Sequence, residues 1–301
     1  MSDYPFFTII IPTYNRAHII KRPIDSIISQ SFDDWELIIV DDGSTDDTKA
    51  VVDTYRDSRI KYVWQENQER SAARNHGISL AKGEWICFQD SDDEYLPEHL
   101  RILHDGIIQF PEYRVFRTGM LIYQNGSLLK IPKFDVENDY ELYPFDAFQT
   151  FTIASQVIKQ IRFNVEYFNS EDMHLLIRIN AYHDIKVIKK FSNIYHYNVK
   201  NSGGTGLDYY RIHTNKIKVF QDLLRNPGTI KVEYLKRKLC LSTLLIFIGH
   251  LKHSRNKIIL ETFEVVRTFF MMPYPFAKLL FRIIIVKFCE WTGIFNFSDR
   301  Y

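Results

Sequence analysis

The first ninety residues of this 301-residue chain alternate continuously apolar runs with stretches whose apolar residues recur at helical spacing. Thr8 to Ile11 (TIII) is a β-branched run that stops at Pro12, and Glu36 to Val40 (ELIIV) stops at Asp41 and Asp42. Both are apolar at consecutive positions, as strands covered on two faces of a parallel sheet are. Between them Ile19, Ile20, Ile24, Ile27 and Ile28 form one stripe within Arg16 to Gln30; Pro23 is tolerated if that helix begins close to it. Ser44, Thr45, Asp46 and Asp47 predict an N-terminal cap for a helix through Tyr55. Ile60 to Trp64 predicts a third strand, residues 70–81 a helix that ends at Gly83, and Trp85 to Phe88 a fourth strand. This alternation specifies an α/β fold with a doubly wound, mostly parallel, Rossmann-like sheet and right-handed crossovers.

Ligands of such sheets sit outside the carboxyl ends of the strands. Three polar clusters fall there: Pro12, Thr13, Tyr14 and Asn15; Asp41, Asp42, Gly43 and Ser44; and Asp90, Ser91 and Asp92, followed by Asp93. Three carboxylates within four positions repel one another unless they are solvated or a cation lies among them. Oxygen-only ligands suit a hard divalent ion, Mg²⁺ or Mn²⁺, which commonly shares its coordination with substrate phosphates. The alternative is a solvated turn capping the helix after Pro97. Three clusters on one sheet edge favour a site over a turn. The G-x-G-x-x-G fingerprint and the P-loop are both absent, so a nucleotide here would be held by an aromatic face, a carboxylate reading the base, and a metal on the diphosphate.

Bulk properties exclude several classes. A formal net charge of +1 and 46% hydrophobic residues describe a globular chain, neither disordered nor a nucleic-acid binder. Three scattered cysteines, Cys87, Cys240 and Cys289, argue against a disulfide framework and for a reducing cytoplasm. The start of the chain lacks the basic and apolar regions of a signal peptide, and no stretch supplies eighteen uncharged apolar residues. Charge is nonetheless uneven. Residues 211–301 carry sixteen Lys and Arg against six Asp and Glu, which leaves residues 1–210 acidic.

The segments TIIIPTYNR, SIISQSFDDWELIIVDDGSTDDT, SAARNHGISLAKGEW and FQDSDDEYLPEHL resemble, in order and spacing across residues 6–100, the inverting nucleotide-sugar glycosyltransferases of family 2. That group has the GT-A fold and builds bacterial surface polysaccharides. The resemblance implies that Thr13 and Tyr14 flank the base, Tyr14 by stacking, and that Asp41 accepts the ring N–H of a base such as uracil. It implies a cationic donor contact from Arg74, whose alternative is a helix-surface arginine. It gives the ribose and a share of the metal to Asp90, and the metal chiefly to Asp92. Pro12, Ser91 and Asp42 complete the donor set, Asp42 and Asp93 as lesser candidates.

Residues 101–210 are expected to form the acceptor half of a catalytic domain spanning 1–210, with residues 1–100 as its donor half. Pro97 to Phe110 predicts a helix, and Val115 to Tyr123, Leu128 to Ile131 and Asn193 to Val199 predict strands. Glu171 and Asp172 precede an apolar helix (MHLLIRI). By position alone they read as helix caps or dipole partners; the resemblance implies instead that Asp172, with Glu171 as understudy, is the base that deprotonates the acceptor hydroxyl.

Two departures from the family pattern stand out. Lys200 occupies the place where relatives often carry a histidine, which suggests an ammonium paired with phosphate, and His196 reads as a strand histidine. Glu69 and Arg70 stand where relatives often have a small residue. The region 211–301 is expected to be a C-terminal helical extension. Its cationic, aromatic helices suit a peripheral membrane contact; the alternative packs them on the catalytic domain or on a second copy in a homodimer.

The resulting expectation is a metal-dependent inverting transferase at the inner face of the plasma membrane, using a nucleotide-sugar donor and a saccharide or lipid-linked acceptor. The alternatives are a non-catalytic nucleotide-sugar-binding subunit and a nucleotidyltransferase, the latter lacking a basic triphosphate loop.

Overall fold

A computed structural model describes residues 4–131, 148–167, 170–197 and 209–228, together with 230 and 235. The chain divides into two compact units, Met1–Gly206 and Leu207–Tyr301. In the first unit the elements follow as β1 (Phe7–Thr13), α1 (Lys21–Ile28), β2 (Trp35–Asp41), α2 (Thr48–Val52), β3 (Ile60–Trp64), α3 (Glu69–Leu80) and β4 (Trp85–Phe88). Then come β5 (Glu94–Tyr95), α4 (His99–Gln109), β6 (Val115–Gln124), β7 (Ser127–Lys130), β8 (Phe151–Ala154), α5 (Ser155–Ile158), α6 (Glu171–Asn180) and β9 (Ile185–His196). The described part of the second unit contains α7 (Tyr209–Arg225), on which Val219, Phe220 and Leu223 are buried. Among the described residues no helix is long and apolar enough to cross a membrane. The helices expected between residues 232 and 291, and Lys200, lie outside the described residues.

One sheet carries the first unit, in the order β3-β2-β1-β4-β8-β6-β9-β5, with β7 paired to β6. The run β3-β2-β1-β4 is parallel throughout, as the alternating sequence requires. Ile9, Ile10, Ile11 and Leu37 to Val40 have no exposed surface, which is why no polar position interrupts them. Beyond β4 the sheet is mixed: β8 runs antiparallel to both β4 and β6, whereas β6 and β9 are parallel. The four apolar residues of β8 (FTIA) carry too little pattern to separate a buried strand from a buried helical turn.

Several boundaries differ from expectation for physical reasons. Helix α1 starts at Lys21, and Pro23 lies in its first turn, where no intrahelical acceptor awaits an N–H. Helix α2 is only five residues long, and Asp47 at its N-cap makes no side-chain cap bond. The expected cap is met only by Asp46, whose Oδ1 accepts from Thr48 N at 3.0 Å, and the polar residues there also bond elsewhere. Ser44 Oγ accepts from Asn15 N at 2.8 Å, Thr48 Oγ1 from Arg16 N at 2.9 Å and Asp46 Oδ2 from Ala17 N at 3.0 Å. The loop after β2 is thus fastened to the loop after β1, at the edge where the site is expected. Strand β9 begins eight residues before Asn193, in a stretch of lysines and isoleucines with little alternation.

Candidate active site

The carboxyl ends of the parallel strands form one row, with Thr13 of β1 opposite Asp41 of β2 and Asp41 opposite Trp64 of β3. Asp41 is fully buried: Oδ1 accepts from Ser44 N at 2.7 Å and Oδ2 from Tyr62 Oη at 2.6 Å. Burial and the adjacent Asp41 hold the Tyr62 hydroxyl well above the usual phenol range. A carboxylate has about four acceptor positions, so this one retains capacity for a further donor. Asp42 is committed to the fold, its Oδ1 accepting from Gln65 Nε2 at 2.7 Å and Gln68 N at 2.9 Å. Tyr14 is 48% exposed at this edge and Pro12 is half-buried; Thr13 is buried, and its Oγ1 lacks a hydrogen-bond partner among the described residues. Asn15 adopts φ 52° and its Oδ1 accepts from Thr45 N at 2.8 Å, which anchors the backbone beside Tyr14. Trp64, 55% exposed, joins this row without having been anticipated.

Strand β4 stops at Phe88, and Gln89 N donates to Ile10 O at 3.0 Å before the chain turns into the four acidic and polar residues. These residues separate in role. Asp90 Oδ1 lies 3.0 Å from Arg74 Nη2. Ser91 is buried. Asp92 faces Arg16 Nη2 at 3.8 Å, and its carbonyl accepts from Arg22 Nη1 at 3.0 Å. Asp93 is buried, and its Oδ1 accepts from His196 N at 2.7 Å, which ties the turn to the end of β9. His196 itself pairs with Glu94 Oε1 at 2.7 Å, as a strand histidine. Burial and the neighbouring Asp90 raise the pKa of Asp92, opposed by Arg16 and Arg22. Burial, Asp92 and Asp90 push Asp93 well above the carboxylate range.

Among the described residues no group of three or more His, Cys, Asp or Glu side chains is placed to hold a metal ion. The donor set is instead partial and oxygen-only. Asp92 remains a quarter exposed, and Asp93 Oδ2 is buried without a hydrogen-bond partner among the described residues. Such a set fits an ion that takes one or two carboxylates and completes its shell from substrate phosphates.

The remaining charges converge on Arg74. This α3 residue is only 2% exposed, so it is no helix-surface arginine. Its Nη1 donates to Asp172 Oδ1 at 2.8 Å and lies 3.5 Å from Glu171 Oε1, while Nη2 donates to Asp90. The rings of Phe148 and Phe163 lie 5.6 and 5.3 Å from its Cζ. Burial opposes its charge, but Asp172, Asp90 and Glu171 outweigh burial and hold its pKa above the ordinary value. Arg70 Nε lies 3.1 Å from Glu171 Oε1, the second such contact from α3.

Glu171 and Asp172 begin α6, whose N-cap Ser170 makes no side-chain cap bond. Neither acid is spent on capping. Burial raises the Asp172 carboxyl to about 7, with Glu171 and Asp90 adding to the shift and Arg74 and Arg70 opposing it. Because Asp172 is one-third exposed, solvent moderates that push. Sequence reasoning placed Asp90, Asp172 and Arg74 separately; the fold brings them together. It missed Arg16, Arg22 and the inward role of Arg70, because cations on separate turns and helices carry no local signature of the carboxylates they meet.

The sequence profile described as "Glycosyl transferase family 2" matches residues 8–151. The chain is 28% identical over 267 residues to the GalNAc(5)-diNAcBac-PP-undecaprenol beta-1,3-glucosyltransferase of Campylobacter jejuni, covering 84% of each protein. Its fold is similar to that of S. aureus TarS, residues 1–349, solved in complex with UDP-GlcNAc, with a TM-score of 0.65 and 21% identity over 87% of this chain and 79% of that one. It is also similar to the mannosyltransferase PcManGT of Pyrobaculum calidifontis, solved with GDP-Man and Mn²⁺, with a TM-score of 0.60 and 15% identity over 92% of this chain and 84% of that one. The profile match spans the three strand-end clusters from Pro12 to Asp93 but stops short of Glu171 and Asp172. Residues 8–151 thus match a glycosyl transferase family 2 domain, and the fold around them is that of the GT-A glycosyltransferases.

Proposed function

We propose that this enzyme transfers a sugar from a UDP-sugar to a hydroxyl of a lipid-linked saccharide, in cell-surface polysaccharide synthesis at the inner face of the plasma membrane. The observation that carries the reading is the convergence of the acidic turn and the start of α6 on one buried guanidinium, that of Arg74. The relatives favour the same chemistry: one is named for a glucosyl transfer involving an undecaprenol-linked saccharide, and another binds UDP-GlcNAc.

In this reading Tyr14 stacks on the base, Asp41 accepts its ring N–H, and Pro12, Thr13, Asp42 and Ser91 shape the cleft around the nucleoside. Asp90 accepts from the ribose. Asp92, with Asp90, would hold a divalent cation that supplies positive charge beside the diphosphate. Asp172 accepts the proton of the acceptor hydroxyl as the oxygen attacks the anomeric carbon from the face opposite the diphosphate. The bond from that carbon to the diphosphate oxygen breaks with its electron pair, UDP departs, and the configuration inverts in one step. A pKa near 7 suits a base that must be both ionised and proton-accepting at neutral pH. Lys200 and the basic region 211–301 keep their expected parts, a phosphate contact and a membrane or self-association surface.

Thermal-shift measurement with UDP and ADP, with and without Mn²⁺, tests the donor class: metal-dependent stabilisation by UDP alone is expected. Equal stabilisation by ADP, or none by either nucleotide, overturns it. Asp172→Asn is expected to keep UDP binding and lose transfer.

A further inference from the structure

Arg74 is only 2% exposed, and it is the cation on which both halves of the site converge. Its two terminal nitrogens are divided: Nη1 donates to Asp172 Oδ1 at 2.8 Å and Nη2 to Asp90 Oδ1 at 3.0 Å. A planar guanidinium fixes the angle between those bonds, so the directions of the two carboxylates are fixed relative to each other. The guanidinium is itself held, against the adjoining rings of Phe148 and Phe163 and beside Glu171, which Arg70 steadies from the preceding helical turn. Asp172 Oδ1 is thus tethered while a third of the side chain remains open to solvent. Its second oxygen is the one left to meet an acceptor.

We propose that Arg74 is a positioning residue: it aims Asp172 at the acceptor hydroxyl and couples that aim to Asp90 on the donor side, without touching the donor. The proposal rests on the reading of Asp172 as the base. The groups facing Asp172 are Arg74 and Arg70 from α3, Asp90 from the acidic turn and Glu171 from its own helix. A donor that engages Asp90 therefore acts on the same guanidinium that holds Asp172, and the ordering of the base is linked to the loading of the donor. A single ammonium cannot reproduce the forked contact, so lysine should preserve the charge and lose the aim.

The test uses the full chain with Mn²⁺, UDP as the binding probe and steady-state transfer as the kinetic readout. Arg74→Lys should bind UDP within about threefold of the parent and lower kcat by about a hundredfold, the scale of a small misplacement of a reacting group. Arg74→Gln should additionally move the acid limb of kcat to higher pH, because a charge opposing protonation of Asp172 is gone. If Arg74→Gln fails to fold, the kcat of Arg74→Lys, which keeps the charge, decides the proposal by itself. An unchanged kcat in Arg74→Lys overturns the proposal, as does a loss of UDP affinity with kcat retained, which would make Arg74 a direct donor contact. Failure of the underlying reading is distinct: it appears as retained transfer in Asp172→Asn.

Discussion

Arg74 and Asp172 lie 98 positions apart in the chain, and Nη1 of the first donates to Oδ1 of the second at 2.8 Å. This contact joins the helix that follows β3 to the helix that precedes β9, so α3 and α6 share one charge network. The consequence is a carboxyl group whose acidity depends on residues that local sequence does not connect to it.

The first prediction concerns pH and activity. With the Asp172 carboxyl at about 7, the ionised, proton-accepting form is lost as pH falls through that value. The kcat profile should therefore show an acid limb near neutrality, absent from the residual rate of Asp172→Asn. A flat profile between pH 5 and 8 would remove Asp172 from the base role.

The same group has an opposite effect on stability. Its folded pKa is raised above the unfolded value of about 3.9, so its contribution is favourable below that value and is lost as pH rises through about 7. Asp172→Asn should stabilise the fold relative to the parent more at pH 8 than at pH 5, by about 1 to 2 kcal/mol once its partial exposure is discounted. Urea denaturation at the two pH values measures the difference; equal effects would show that Arg74 fully offsets the burial of the charge.

Asp92→Asn removes one of the two carboxylates proposed to hold the cation, one that already faces Arg16. Transfer should fall by about a hundredfold or more, the scale of losing one strong electrostatic contact to a developing charge. The Mn²⁺-dependent part of UDP binding should fall with it. Calorimetric titration of UDP in Mn²⁺ and in EDTA separates the two, and full activity in this variant would exclude the metal assignment.

Glu69 opens α3 with φ 71°, a left-handed conformation that costs a residue bearing a Cβ about 1 to 2 kcal/mol. This gives a physical account of the departure at position 69, where a small residue suits the backbone better. Glu69→Gly should raise stability by about 1 kcal/mol in urea denaturation, less glycine's entropic cost. A destabilised variant would show that the Glu69 side chain contributes more than its conformation costs.

Gly83 lies where the loop before β4 crosses β1. A Cβ there would fall 2.5 Å from Thr8 N and 2.7 Å from Phe7 C, backbone atoms that cannot yield. Gly83→Ala should cost about 3 kcal/mol or more, the upper range of overpacking. Gly106→Ala, whose nearest contact is the flexible end of Ile188 at 2.4 Å, should cost clearly less. Equal thermal shifts for the two would contradict the distinction.

Much of the sheet from β1 to β4, with its polar strand ends, was legible in the sequence. Continuous β-branched runs such as ELIIV are stable only when covered on both faces, and a run that ends in two aspartates announces both the strand and its edge. The polar run Ser44 to Asp47, in which Asp46 does cap α2, was not legible as a stitch between loops as well, because the same short polar side chains satisfy either role. Strand β8 and the early start of β9 were also hidden, since four apolar residues or a lysine-rich stretch have no period of their own.

Sequence alone determined the order of strands and helices through β4 and the oxygen-rich chemistry at three strand ends, because periodicity and turn residues are local and survive in a linear reading. Tertiary structure alone decided which charges meet. Asp90 and Asp172 reach Arg74 across separations of 16 and 98 positions, and no local pattern encodes which carboxylate will face which cation once the loops close. The burial that lifts Asp172 to about 7 comes from that closure as well, since a carboxyl acquires a shifted pKa only from the surroundings the fold builds around it.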